Sequence, residues 1–198
     1  MKHKLICLVG MCGAGKSEVA DYLMSKRKYG FVRFGQITLD KVKELGKEPS
    51  EELERKIRED LRNRYGMAAF AILNIPKFDE LLEKGDVIGD GLYSWEEYLV
   101  LKEKYGENLI VIATYAPPEM RYKRLENRAK KHGEDNNLRF RSFNQSEAAA
   151  RDKAEIENLH KAGPIAMADY TILNTKKIID LQKQINEIFT DIYGQKSN

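Results

Sequence analysis

Cysteine is scarce in this 198-residue chain: Cys7 lies in an apolar run and Cys12 in a glycine-rich stretch. Two such residues build no disulfide framework, which points to a reducing compartment. The three histidines, His3, His132 and His160, are scattered and pair with neither cysteine at ligand spacing, which excludes a zinc site of the usual kind. No stretch approaches the roughly 20 consecutive apolar residues that a membrane helix needs. The start, Met1-Lys2-His3-Lys4, leads into a short apolar stretch broken by Gly10, too short for a signal sequence, so a cytoplasmic protein is expected. Net charge is also low: 34 lysines and arginines stand against 31 aspartates and glutamates, a formal +3. That balance does not by itself point to nucleic acid or an anionic membrane. Internal repeats, low-complexity tracts and linkers are all missing, so residues 1–198 read as one domain.

The chain is 42% hydrophobic and 33% charged, the composition of a globular protein with a real core. Short apolar runs alternate with stretches of helical period. Leu5–Val9, Phe31–Phe34, Asp86–Gly89, Asn108–Tyr115 and Tyr170–Leu173 read as strands. Helices are predicted over Ser17–Lys26, about Ile37–Leu45, about Glu51–Leu82 with breaks near Gly66 and Pro76, Ser94 to about Lys104, from Pro118, from Asn144 to about His160, and over Ile178–Ile192. Ser94 with Glu97, and Asn144 with Glu147, fit capping boxes. Such alternation predicts an α/β fold of three layers: a mostly parallel five-stranded sheet with helices on both faces. The helical segment 36–82 reads as an insert that binds substrate. The polar, aperiodic stretch 129–145 reads as a lid.

Gly10-Met11-Cys12-Gly13-Ala14-Gly15-Lys16-Ser17 satisfies G-x-x-x-x-G-K-[ST], directly after a predicted strand and opening a predicted helix. The glycines let the backbone curl so that N–H groups from Met11 to Ser17 face phosphate oxygens, and the helix aims its positive end at the same anion. Lys16 can bridge the β- and γ-phosphates, and the Ser17 hydroxyl can ligate Mg²⁺. This predicts a P-loop NTPase fold that binds a nucleoside triphosphate and Mg²⁺. Asp90, near the end of the third strand, can hold Mg²⁺ through water or orient an attacking hydroxyl; Asp-Gly is also a common turn pair. Arg121, Arg124 and Arg128 share a helix face.

The loop at 10–17, Val87-Ile88-Gly89-Asp90-Gly91, the segment Arg121–Arg128 and Ala166–Asn174 together resemble small P-loop kinases. The pattern is similar to the dephospho-CoA kinase and nucleoside monophosphate kinase group, and more so to an uncharacterised, mainly archaeal set of kinase-like proteins. The resemblance implies phosphoryl transfer from ATP to a nucleotide-like acceptor, with no membrane partner. It implies that lid arginines close over the phosphates, with Arg128 and Arg151 foremost and Arg139 and Arg141 as further candidates. It implies that Asn174 contacts the nucleotide, although Thr175 could equally cap the last helix. It places the acceptor against Gly35–Thr38 and near Arg58, Arg62 and Arg64. Gln36 and Leu39 depart from the aspartate and arginine that such relatives often carry, which leaves open a nucleotide-dependent regulator or hydrolase, or an ATP-binding module without turnover. A nucleic-acid end kinase would need a continuous basic groove. Trp95 and Tyr98 read as packing residues.

Overall fold

The computed structural model describes residues 3–128 and 143–194. Most of the stretch 129–145, with Arg139 and Arg141, therefore lies outside the described residues. Five strands form one sheet: β1 (Leu5–Val9), β2 (Gly30–Arg33), β3 (Val87–Asp90), β4 (Leu109–Tyr115) and β5 (Tyr170–Leu173). Their order is β2-β3-β1-β4-β5 and every pairing is parallel. β1 is apolar throughout because both of its faces are covered. Leu5, Cys7 and Val9 join one core with Phe34, Phe70, Phe78, Leu101 and Tyr105, while Ile6 and Leu8 join the other with Val19, Leu23, Leu181 and Ile185.

The first core is closed by α2 (Gln36–Glu44), α3 (Glu51–Tyr65), α4 (Ala69–Leu82) and α5 (Trp95–Tyr105). The second is closed by α1 (Lys16–Lys26) and the last helix, α9 (Ile178–Gly194). Between β4 and β5 stand α6 (Pro118–Glu126), α7 (Gln145–Glu157) and the short α8 (Ala162–Ala166). This is the α/β architecture expected, with the sheet parallel in all four pairings. Both capping boxes form: Ser94 accepts from the Glu97 N–H and Asn144 from the Glu147 N–H, and each glutamate reaches back to its cap. Trp95 and Tyr98 stack on each other with centroids 5.1 Å apart and pack on the core, as packing residues.

Several boundaries differ from the sequence reading by a residue or more. The segment 51–82 breaks at Gly66, whose φ is 76°, but runs straight through Pro76. Pro76 and Ile72 are both exposed, so the Ile72 carbonyl that the ring leaves without a donor can turn to water. The strand after Asp86 ends one residue later than expected, so Asp90 is its last residue, paired in register with Leu8. The helix from Asn144 ends at Glu157 rather than His160, which takes a φ of 50° and turns the chain. The last helix, α9, starts at Ile178 as expected and runs two residues past Ile192; the Lys177 N–H donates to Asp180 Oδ2 at 3.2 Å, so Thr175 is not its cap.

Candidate active site

β1 delivers the chain to Gly10, at the carboxyl end of the sheet, where ligands of open α/β sheets bind. Two features fix the loop that follows. Gly10 has a φ of 145°, and a Cβ there would overlap the Thr114 carbonyl of β4; Gly15 has a φ of 106°, and a Cβ there would overlap Asn174 Nδ2. No other residue type fits either place. Asn174 also donates to the Ala14 carbonyl at 2.8 Å, so the β5 loop braces the phosphate loop from behind. The Lys16 ammonium donates to the carbonyls of Gly10 at 2.8 Å and Met11 at 3.3 Å. Burial, reinforced by the nearby charge of Lys161, lowers its pKa to about 8.

A cleft of about 730 Å³ opens over this loop. It brings together Lys16, Ser17, Asp90, Arg128 and Arg151, together with Cys12, Gly13 and Gly15 of the loop. Met11 and Ala14 do not line it: Ala14 is buried, and Met11 supplies its carbonyl to Lys16 and to the Ala14 N–H at 3.2 Å. Asn174 also lies off the cleft wall, at the back of the loop. Asp90 is buried at the cleft floor, on the strand beside β1.

The arginine face of α6 divides into separate tasks. Arg121 points inward; its Nη1 donates to Asp152 Oδ1 at 2.9 Å and to the Cys12 carbonyl at 3.0 Å, and its Nε to the Ala116 carbonyl at 3.0 Å. It therefore ties α6 to α7 and to the phosphate loop. Arg124 donates to the Asn174 carbonyl at 2.8 Å, while its Nη1 is buried without a hydrogen-bond partner. Arg128 is half-buried on the cleft wall.

The opposite wall comes from α2 and α3. Thr38 is 2% exposed, lines the cleft, and its hydroxyl has no hydrogen-bond partner. Arg58 is held by Glu51 at 2.7 Å, and Arg62 stacks on Phe70 at 5.2 Å with its Nε unpartnered. Arg64 is exposed and lies off the cleft. Gln36 is exposed too and donates to Asp40 on its own helix at 3.0 Å, whereas Leu39 does face the cleft. Of the two departures from the kinase-like pattern, only the one at 39 alters the wall.

Several residues here escaped the sequence reading. Glu155 accepts from Arg151 Nε at 3.0 Å and from the Lys161 ammonium at 2.7 Å. Burial opposes its charge, but these two cations prevail and hold its pKa at about 2. The Lys161 ammonium also lies 4.3 Å over the Tyr93 ring, which lines the cleft. Below Tyr93, burial raises the Glu97 carboxyl to a pKa of about 7, against two backbone N–H groups that favour its charge. The spacing of Arg151 and Glu155, one helical turn apart, was the available signal. Among the described residues no group of three His, Cys, Asp or Glu could hold a metal, and no helix is long and apolar enough to cross a membrane.

Comparison with known proteins agrees with this fold. The model of the AAA domain family matches residues 6–163. A UPF0200 protein of Thermococcus onnurineus is 30% identical over 193 residues, which cover 96% of this chain and 99% of that one. A UPF0200/UPF0201 protein of Archaeoglobus fulgidus is 31% identical over 194 residues, covering 95% of this chain and 55% of that longer one. Among solved structures, a shikimate kinase from Acinetobacter baumannii in complex with shikimate shares the fold with a TM-score of 0.56 at 18% identity, over 100% of this chain and 97% of that one. A gluconokinase from Sinorhizobium meliloti gives 0.56 at 13% identity, over 98% and 97%. The phosphate loop, the parallel sheet behind it and these matches together place the chain in the AAA domain family and among the archaeal UPF0200 proteins.

Proposed function

We propose that the protein is an ATP- and Mg²⁺-dependent kinase of a nucleotide-like small molecule, of the nucleoside monophosphate or dephospho-CoA type. One observation carries this: a single cleft of about 730 Å³ has the phosphate loop on one wall and the Thr38, Arg58 and Arg62 side chains on the other, with Asp90 at its floor. A hydrolase needs only the first wall. Lys16 and the loop N–H groups hold the donor phosphates, and arginines of the α6–α7 side, Arg128 and Arg151, neutralise charge that spreads over the transferring oxygens. An acceptor oxygen attacks the γ-phosphorus, the bond from that phosphorus to the β,γ-bridging oxygen breaks, and ADP leaves with the electron pair. A hydroxyl acceptor gives its proton to Asp90; a phosphate acceptor has none to give.

Ser17 and Asp90 fit Mg²⁺: one hydroxyl and one carboxylate, completed by phosphate oxygens and water, suit a small hard cation that keeps much of its hydration. When bound, the ion supplies electrostatic stabilisation to the phosphates. The acceptor wall also favours a small molecule over a nucleic-acid end. Glu51, Glu54 and Glu59 of α3 line it between the arginines, so this stretch is no continuous basic groove.

The test is a panel of nucleoside monophosphates, dephospho-CoA and other phosphorylated metabolites, with ADP formation as the readout. At least one acceptor is expected to accelerate ADP formation by about tenfold or more, and Lys16→Ala to abolish that acceleration while leaving the circular dichroism spectrum unchanged. Turnover that is the same with every acceptor and with none would overturn the kinase reading in favour of a hydrolase.

A further inference from the structure

Lys161 is a charged residue at 1% exposure, and packing alone does not require a charge there. A buried ammonium is costly unless a carboxylate meets it, and methionine would fill the same space without that cost. The turn at His160 places Lys161 under the cleft, its backbone N–H donating to the Glu155 carbonyl at 3.1 Å. Its ammonium then takes Oε2 of Glu155 at 2.7 Å.

The consequence falls on Arg151. An arginine beside a carboxylate ordinarily closes a two-pronged pair that uses both oxygens and two N–H groups. Here Oε2 is already engaged by Lys161, so Arg151 reaches only Oε1, through Nε at 3.0 Å. The Phe143 ring lies 5.0 Å from its guanidinium carbon and covers one face. Among the described residues neither Nη of Arg151 has a hydrogen-bond partner, and Arg151 lines the cleft together with Lys16. That terminal edge suits a phosphate oxygen pair.

The geometry points to Lys161 as a positioning residue: by holding one oxygen of Glu155 it prevents a two-pronged Arg151–Glu155 pair and keeps the Arg151 Nη groups available to the nucleotide's phosphates. Without the ammonium, Glu155 would draw the guanidinium fully onto itself and away from the cleft. This rests on the nucleoside triphosphate reading of the site, but not on the identity of any acceptor.

The experiment is calorimetric titration of the full chain with ATP in the presence of Mg²⁺, so transfer activity is not needed. Lys161→Met is expected to weaken ATP binding about tenfold or more, as Arg151→Gln does, and to weaken it less than about twofold further when added to Arg151→Gln. Losses that multiply instead would mean that Lys161 acts without Arg151 and would overturn the inference. The second variant is the double replacement Glu155→Gln with Lys161→Met, which removes the competing carboxylate and leaves no buried unpaired charge. It is expected to recover ATP affinity to within about threefold of the parent, and it also serves if Lys161→Met alone does not fold. A double variant that remains tenfold weaker would overturn the inference. A parent protein that binds no ATP would overturn both the site reading and the inference, whereas a parent that binds ATP beside an unaffected Lys161→Met would overturn the inference alone.

Discussion

Replacing Arg121 by methionine removes a guanidinium that is 5% exposed and joins three parts of the molecule. Asp152 of α7, itself 10% exposed, loses a two-pronged partner, and the carbonyls of Cys12 and Ala116 each lose a donor. Breaking one side of a buried pair costs about 3–5 kcal/mol, because the remaining charge stays buried. Tyr122 still donates to Asp152 at 3.0 Å, which favours the lower end, about 3 kcal/mol. With a urea dependence of about 2 kcal/mol/M, the unfolding midpoint should fall by about 1.5 M. Replacing both partners, Arg121→Met with Asp152→Leu, should cost less than Arg121→Met alone, since no unpaired charge remains. Urea denaturation followed by circular dichroism measures all three. A midpoint shift under about 0.5 M for Arg121→Met, or a double variant less stable than the single one, would refute the argument. ATP affinity should fall as well, because the Cys12 carbonyl is part of the phosphate loop.

Three other outcomes follow from the same structure. Burial raises the Glu97 carboxyl from 4.5 to about 7, so its contribution to stability is complete below about pH 4.5 and is lost as the pH rises through 7. The stability of the parent relative to Glu97→Gln should therefore drop by up to about 3 kcal/mol between pH 5 and 8.5, and a flat difference in urea titrations would contradict this. Lys16, held at about 8 in the free protein, should be driven to its charged form by phosphate, so ATP binding at pH 9 should take up close to one proton and less at pH 7. Calorimetry in buffers of different ionisation enthalpy reads that number, and zero uptake at pH 9 would count against it. Pro76→Ala should give the exposed Ile72 carbonyl its helical donor and raise stability by about 1–2 kcal/mol, a few degrees in Tm; the unfolded chain's gain in freedom offsets the rest of proline's helix penalty.

The phosphate-loop half of the cleft was legible because its residues are contiguous. Residues 10–17 carry the loop, the strand before it and the helix after it in one stretch, and each supports the other two. Asp90 could be placed near a strand end but not on it, since β3 is buried on both faces and has no polar alternation to mark where it stops. The spacing of Arg121, Arg124 and Arg128 showed that they share a face. It could not show that this face turns inward at Arg121, because the partner, Asp152, comes 31 residues later. Lys161 was invisible for a plainer reason: a lysine after a polar stretch reads as surface, and it takes the carboxylate of Glu155 and the ring of Tyr93 to let it be buried. Pro76 misled because punctuation by proline assumes that the freed carbonyl has nowhere to go, and Ile72 lies on the exposed side of the helix, where water can reach it.

Three cations of the cleft share a property that bears on what they can bind. Lys16 is engaged by carbonyls of its own loop, Arg58 by Glu51, and Arg151 by Glu155. A lone anion arriving at Lys16 or Arg58 exchanges a resident partner for a new one, and the net gain from such an exchange is small; at the Arg151 Nη edge it meets unpartnered donors but makes only that one contact. An anion long enough to reach Lys16, the loop N–H groups and the Arg151 Nη edge together makes several contacts while losing its freedom only once. The cleft therefore rewards a chain of phosphates over an isolated one. Under the proposed function, its resident carboxylates, which lower its net positive charge, would weaken the hold on an isolated anion.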